Sequence, residues 1–300
     1  MPLLKVEAEK LSNNELVSGI ITEIIDKEDL FAILPFMKVN SKAYVYEREN
    51  TLSEAEFLDP YDEVPEGAAT FTEVIAKLRI LAGDVDIDNF LDETMSDTND
   101  QTSIQIAKKA KGLARKFKRT LAIGNSSVNA KEFDGIDRQV APEQRIVAAA
   151  NGTSLTFSVL DELLDAVPNG ADVIMMRSEH IRALRALLRA SGGLEPAHVM
   201  MEDFGRPMLT HNGVPIIVND FLPKDVTQGS STDCAPIYAL RANELDGLHG
   251  IYGGEAAGVR IENLGTVQNK DSTRIRLKWY ASLCLKSTKS LAVVDGVKIG

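Results

Sequence analysis

Cysteine is nearly absent from this sequence: Cys234 and Cys284 stand far apart, with no Cys-x-x-Cys spacing anywhere. Two isolated thiols point to a reducing compartment and argue against a disulfide framework or a thiolate metal scaffold. Long apolar runs are missing as well. None reaches the roughly 18 residues needed to span a bilayer, and the opening MPLLKVEAEK lacks the basic start and apolar core of a signal peptide. No membrane partner is expected, and the chain reads as soluble and cytosolic where it is made.

The motifs that carry chemistry are equally scarce. There is no Gly-Lys-Ser/Thr of a phosphate loop, and Gly253-Gly254 followed by Gly258 lacks the strand–turn–helix context of a dinucleotide site. Neither HExxH nor GxSxG occurs. His180, His198, His211 and His249 are dispersed, with no ligand or nucleophile nearby in sequence, and each reads as a satisfied or exposed residue. Asp84-x-Asp86-x-Asp88 imitates a calcium loop briefly, but Asn89 takes the glycine position and Met95 that of the bidentate Glu. That segment reads as a solvated strand-to-helix connection. Met175-Met176 and Met200-Met201 read as core filler, and Asn151-Gly152-Thr153 fits a glycosylation acceptor that a cytosolic protein would not use. No catalytic residue, cofactor or metal site is expected.

Positive charge is in deficit too, except in one place. Residues 1–100 hold 8 Lys/Arg and 23 Asp/Glu, net −15; residues 101–131 hold 8 and none, net +8; residues 132–300 hold 17 and 21, net −4, for the overall −11. The basic segment coincides with the longest helical pattern, residues 99–125. Ile106, Ala110, Leu113, Phe117 and Leu121 recur at about 100° per residue on one narrow stripe. Lys108, Lys109, Lys111, Arg115, Lys116, Lys118 and Arg119 fill roughly the opposite half of the circumference. Asp97 and Asp100 stand at the start and Gly124-Asn125 ends the pattern, as the helix dipole and C-terminal termination prefer. A Lys-rich face alone is ordinary solvated surface. Its contrast with the acidic remainder suggests one surface that repels phosphate and another that attracts it, with no sequence-specific reading implied.

At 300 residues the chain exceeds the usual single core, so two lobes sharing elements are expected. Ser12-Asn13-Asn14-Glu15 makes a capping box that opens a helix to about Lys27, with Leu16, Ile20 and Ile24 on a broad apolar face. Residues 42–49 and 71–80 alternate as strands do. Between them residues 50–70 carry Pro60, Pro65, one Gly and six acidic side chains, Glu54, Glu56, Asp59, Asp62, Glu63 and Glu66. This predicts a protruding hairpin with a long acidic tip, and a loop of that length usually acts outside its own domain. The second lobe begins near Gly135. Leu160, Leu163, Leu164 and Val167 mark a short helix, residues 171–176 a buried strand, and Ser178 a helix carrying Ile181, Leu184, Leu187 and Leu188, stopped by Gly192-Gly193. Residues 207–210 and 214–218 flank His211-Asn212-Gly213, a strong hairpin signal. Residues 236–241, 258–264, 272–285 and 290–297 read as further strands.

Two stretches carry a family likeness. Residues 204–220, FGRPMLTHNGVPIIVND, and residues 270–280, KDSTRIRLKWY, resemble signatures of the major capsid proteins of tailed double-stranded DNA bacteriophages, and the layout is similar over nearly the whole chain. The resemblance implies the Hong Kong 97-type fold, an α+β architecture with four parts. These are an N-terminal arm (1–39), an extended β-hairpin loop (40–82), a peripheral domain with a long spine helix (83–136 and 256–300) and an axial α/β domain (137–255). It also implies a structural protein rather than an enzyme, assembled in the host cytoplasm through hexamers and pentamers of itself into the virion capsid. The partners implied are packaged double-stranded DNA, bound non-specifically, a portal, and a separate scaffolding or decoration protein where one is used. On this view the seven cations of the spine helix face the lumen and DNA, and the six loop carboxylates face a neighbouring subunit.

Two departures bear on those expectations. Members with a fused scaffolding segment carry a long N-terminal extension, whereas here the arm begins almost at Met1, which implies a separate scaffold or none. Members that cross-link covalently use a lysine in the extended loop, and residues 50–70 hold none, so no autocatalytic site is carried over. Two competing readings stand beside the capsid. An encapsulin-type shell around an enzyme cargo shares the fold, although the basic spine helix favours DNA. A soluble enzyme would need perturbed titratable groups clustered in one pocket.

Overall fold

The computed structural model describes residues 33–51, 70–89, 101–190, 198–200, 207–254 and 258–299, with isolated positions between 55 and 68. In chain order come β1 (Phe36–Val39), β2 (Ala43–Thr51), β3 (Thr70–Lys77), β4 (Arg79–Asp88), the long helix α1 (Gln101–Ile123) and the single turn α2 (Ile136–Gln139). Then follow β5 (Arg145–Val147), α3 (Phe157–Asp165), β6 (Val173–Met176), α4 (Ser178–Ala190), β7 (His198–Met200), β8 (Pro207–His211) and β9 (Val214–Val218). The chain closes with β10 (Val226–Gln228), β11 (Ser231–Leu240), β12 (Leu248–Gly253), β13 (Arg260–Thr266), β14 (Ser272–Leu285) and β15 (Leu291–Lys298). The architecture is α+β, as expected. The helix expected over residues 12–27 and the Gly192-Gly193 stop lie outside the described residues.

Apolar central strands flanked by shorter mixed ones form an eight-stranded sheet, ordered β5-β15-β11-β6-β9-β8-β7, with β10 on β11. Its central strands, β6, β15 and the second half of β11, lack polar alternation because both their faces are buried. Val173, Met175, Tyr238, Leu240, Leu291 and Val293 face the core that includes α1, while the intervening Ile174, Met176, Ile237, Ala239, Ala292 and Val294 face α3 and α4. Thr156 caps α3 by accepting the Val159 N–H at 3.3 Å. At the β8–β9 turn Asn212 (φ 49°) and Gly213 (φ 83°) are both left-handed, which these two residue types tolerate best.

The second sheet is organised by the 14-residue β14. One edge of β14 pairs with β4 over ten residues, and the other carries β13 and then β12, with β1 parallel to β12. Two expectations change here. The strand expected over residues 71–80 breaks at Leu78, whose N–H donates to the Lys42 carbonyl at 3.0 Å. β3 stays with β2 in the hairpin, and β4 leaves it for β14. Asp84, Asp86 and Asp88 therefore lie on a strand, not in a solvated connection. Arg276 and Arg274 grip Asp84 and Asp86 across the ladder, each through two bonds of 2.6–2.8 Å, and hold both carboxyls below their usual range.

Both sheets draw strands from more than one of the four parts. β1, from 1–39, and β12, from 137–255, belong to the β14 sheet, whereas β15, from 256–300, lies between β5 and β11 in the other. The cause is burial: β15 alternates between two cores and has no solvent face to present elsewhere.

Candidate functional site

Helix α1 docks by the stripe its sequence sets out. Ile106, Ala110, Leu113, Phe117 and Leu121 are each at most 5% exposed. The Phe117 ring lies 4.6 Å from Trp279 and 5.3 Å from Phe133, and Phe36 is 5.7 Å from Trp279, so one aromatic cluster ties the helix to β14 and β1. Docking this stripe turns the opposite arc outward.

The seven cations of that arc do not share one environment. Lys108, Lys111, Arg115 and Arg119 are exposed, and Lys108, Lys111 and Arg119 have no carboxylate partner among the described residues. The Arg115 guanidinium lies 5.9 Å from the Phe221 ring centre. At one margin Lys116 pairs with Glu132 at 2.5 Å. There too the Lys109 stem covers β4 so closely that a Cβ added at Gly83 would collide with its Cε, and its charge adds to the lowering of Asp84 that Arg276 dominates. Lys118, at the other margin, is half-buried. Five of the seven are exposed, Lys116 among them although it pairs with Glu132, and Lys109 and Lys118 are half-buried.

Of the six loop carboxylates, Glu54, Glu56, Asp62 and Glu63 lie outside the described residues, while Asp59 and Glu66 are exposed. Phe57 is fully exposed beside them, and Leu58 is exposed too. The hairpin base is a feature that sequence reasoning missed. The Tyr46 hydroxyl donates to the Leu285 carbonyl at 2.5 Å, and Arg48 donates to Lys286 and Leu285 carbonyls at 2.8 and 2.7 Å. Tyr44 stacks on Tyr46, meets His249 edge-on at 6.3 Å and lies 5.6 Å below the Lys286 ammonium. Burial pushes the Tyr46 phenol and the Cys284 thiol up, so both stay neutral. A cleft of about 420 Å³ opens between this base, the α1–α2 connection and β14. Arg48, Lys77, Arg79 and Arg138 line it with one carboxylate, Asp134, which accepts from the Ser126 N–H and hydroxyl at 2.8 and 2.9 Å.

The family-like signatures turn out to be pins, as far as they are described. Residues 204–206 lie outside the described set. The Asn219 side chain is buried and accepts the Phe221 N–H at 3.1 Å, while Asp220 accepts the Ser178 N–H at 3.0 Å and so holds the start of α4. Buried Arg177 donates to the Asp220 and Leu222 carbonyls at 2.6 and 2.7 Å and to Glu179, whose carboxyl it pushes down to about 2. The other signature supplies Arg274 and Arg276 to the ladder with β4. His211 and Asn212 both bond Asp161 of α3, at 2.8 and 2.9 Å, fixing the β8–β9 turn.

No family model matches the sequence, and no curated protein does. Solved structures do match. The holo-SrpI encapsulin complex from Synechococcus elongatus superposes with a TM-score of 0.70 at 20% identity, over 100% of this chain and 97% of that one. The capsid of an empty GTA particle gives 0.69 at 14% identity over 91% and 90%. A chain of Microbacterium phage Oxtober96 gives 0.64 at 13% over 89% and 90%. The chain has the Hong Kong 97-type capsid fold. In that fold α1 is the spine helix and β2–β3 the extended hairpin. Among the described residues no three His, Cys, Asp or Glu side chains gather as a metal site would require, and no helix is long and apolar enough to cross a membrane.

Proposed function

We propose that the chain is the self-assembling subunit of a closed protein shell, and specifically the major capsid protein of a particle that encloses double-stranded DNA. The observation that carries the DNA reading is the outward arc of the spine helix. Lys108, Lys111, Arg115 and Arg119 stand exposed on a 23-residue helix whose other face is locked into the core, in a chain of net charge −11. DNA meeting that arc releases counterions, so binding weakens with salt and carries no sequence information. Hexamers and pentamers, a portal, and a scaffolding or decoration protein where one is used complete the proposed particle, and the six loop carboxylates meet a neighbouring subunit. The role is structural, not catalytic.

The test replaces Lys108, Lys111, Arg115 and Arg119 together by Gln, a residue close to Lys and Arg in helix propensity. Shells should still form, nucleic acid per particle should fall, and the salt slope of DNA binding by isolated capsomers should become shallower by about 3 to 4. A second reading, an encapsulin-type shell around a protein cargo, is favoured by the likeness to the SrpI complex over 100% of this chain and 97% of that one. Unchanged nucleic-acid content and salt slope, with an enzyme co-purifying inside the particles, would decide for it.

A further inference from the structure

We propose that the cleft at the hairpin base is a binding site for a compact, multiply charged phosphate anion, with inorganic triphosphate as the representative ligand. Four cations line it, Arg48, Lys77, Arg79 and Arg138, with a single carboxylate, Asp134, in a chain whose net charge is −11. Asp134 pairs with none of them. Its two oxygens accept from the Ser126 N–H at 2.8 Å and hydroxyl at 2.9 Å. Among the described residues Lys77, Arg79 and Arg138 have neither a hydrogen bond nor an ion pair. Arg48 is fixed through Nε and Nη2 on the Lys286 and Leu285 carbonyls at 2.8 and 2.7 Å, which leaves its charge without a counterion.

An orphaned nitrogen distinguishes this cleft from an ordinary basic surface. Arg79 Nε is shut off from solvent and has no partner, and a guanidinium N–H left in that state destabilises the fold until an acceptor arrives. Three guanidinium forks and an ammonium around one hollow are the donor set that phosphate oxygens engage in pairs. The hollow measures about 420 Å³, room for a short phosphate chain with its remaining water, whereas a DNA duplex is far wider and would meet only the rim. None of Lys108, Lys111, Arg115 and Arg119 lines it, so the site is separate from the arc assigned to DNA and does not rest on that reading. The cations also come from different segments: Arg48 and Lys77 from the two hairpin strands, Arg79 from β4 just past the break at Leu78, and Arg138 from α2. A bound anion therefore ties the hairpin base to the body of the subunit. The Leu78 N–H, donated to the Lys42 carbonyl at 3.0 Å, lies at the joint that it braces.

Isothermal titration calorimetry of the full, unassembled chain with sodium triphosphate at constant ionic strength is the test. One triphosphate should bind per chain, and amide exchange at Leu78 should slow on binding. Lys77 and Arg138 are exposed, so Lys77→Gln with Arg138→Gln should leave the chain folded while weakening binding about tenfold or more, through the loss of two charge-assisted contacts. Arg79→Gln should weaken it as well. Lys108→Gln with Lys111→Gln, on the spine helix, should bind triphosphate as the parent does. Adenosine triphosphate separates the two sources of such a phosphate chain: affinity no tighter than for inorganic triphosphate assigns the site to the free anion, and tighter affinity assigns it to a nucleotide. No saturable binding beyond that of sulfate, parental affinity in the Lys77→Gln, Arg138→Gln variant, or an equal loss in the spine-helix pair would overturn the inference.

Discussion

Phe117→Ala is the perturbation that tests the account of α1 most severely. Phe117 is 1% exposed, and its neighbours Trp279 at 4.6 Å, Phe133 at 5.3 Å and Phe36 at 6.1 Å come from three different segments. A cavity between elements held apart by other contacts cannot collapse easily, which places the cost toward the upper part of the 3–5 kcal/mol usual for Phe→Ala, at about 4–5 kcal/mol. All three lost ring pairs are close enough to contribute within that figure, at about 0.5–1.5 kcal/mol each. At roughly 2–4 °C per kcal/mol for a chain of this class, the unfolding midpoint should fall by about 10–15 °C. Circular dichroism melts of unassembled protein at matched concentration measure it. DNA binding by the folded fraction at low temperature should not change, because the cations sit on the other face of the helix. A loss below about 1 kcal/mol would show that the aromatic cluster does not hold the helix.

Acidification should destabilise the fold as pH falls below the ordinary histidine range. Burial holds the imidazoles of His180, beside Arg177 and Glu179, and His249, beside Tyr44 and Lys286, below the ordinary histidine pKa of about 6.5. The unfolded chain then binds protons that the folded chain refuses, so stability is complete above that pKa and declines as pH falls toward the folded values. Glu179, pushed down to about 2, keeps its contribution throughout that window, and His180→Gln should flatten the pH profile; an equally steep profile would refute the assignment. Boiled particles under reductant should run as single chains in denaturing electrophoresis, since residues 50–70 hold no lysine for an isopeptide bond. A ladder of covalent oligomers would contradict this.

What the sequence disclosed and what it hid divide by the range of the interactions. The α1 stripe was readable because Ile106 to Leu121 repeat with the helical period, and the β8–β9 turn because Asn212-Gly213 is a local signal. The fate of β4 was not, since Asp84 and Asp86 look like solvent-facing residues until Arg276 and Arg274 arrive, 192 and 188 positions later. In hindsight the matching alternation of Asp on one segment and Arg on the other was the available clue. The uneven roles of the cations depend on Glu132, past the end of the helix, and on Gly83, before it. The cleft at the hairpin base had no local signature at all, being assembled from residues of 46–48, 74–79, 126–139 and 282–285. Sheet membership was obscured for a related reason: β15, buried on both faces, gives no periodic hint of which sheet it joins.

The central claim, a shell subunit whose spine-helix cations look inward, is tested most directly by electron cryomicroscopy of the purified protein. The account predicts closed particles built from hexamers and pentamers, with Lys108, Lys111, Arg115 and Arg119 on the lumenal surface next to nucleic-acid density. Monomers that never close at any concentration, or particles with those four side chains on the outer surface, would contradict it.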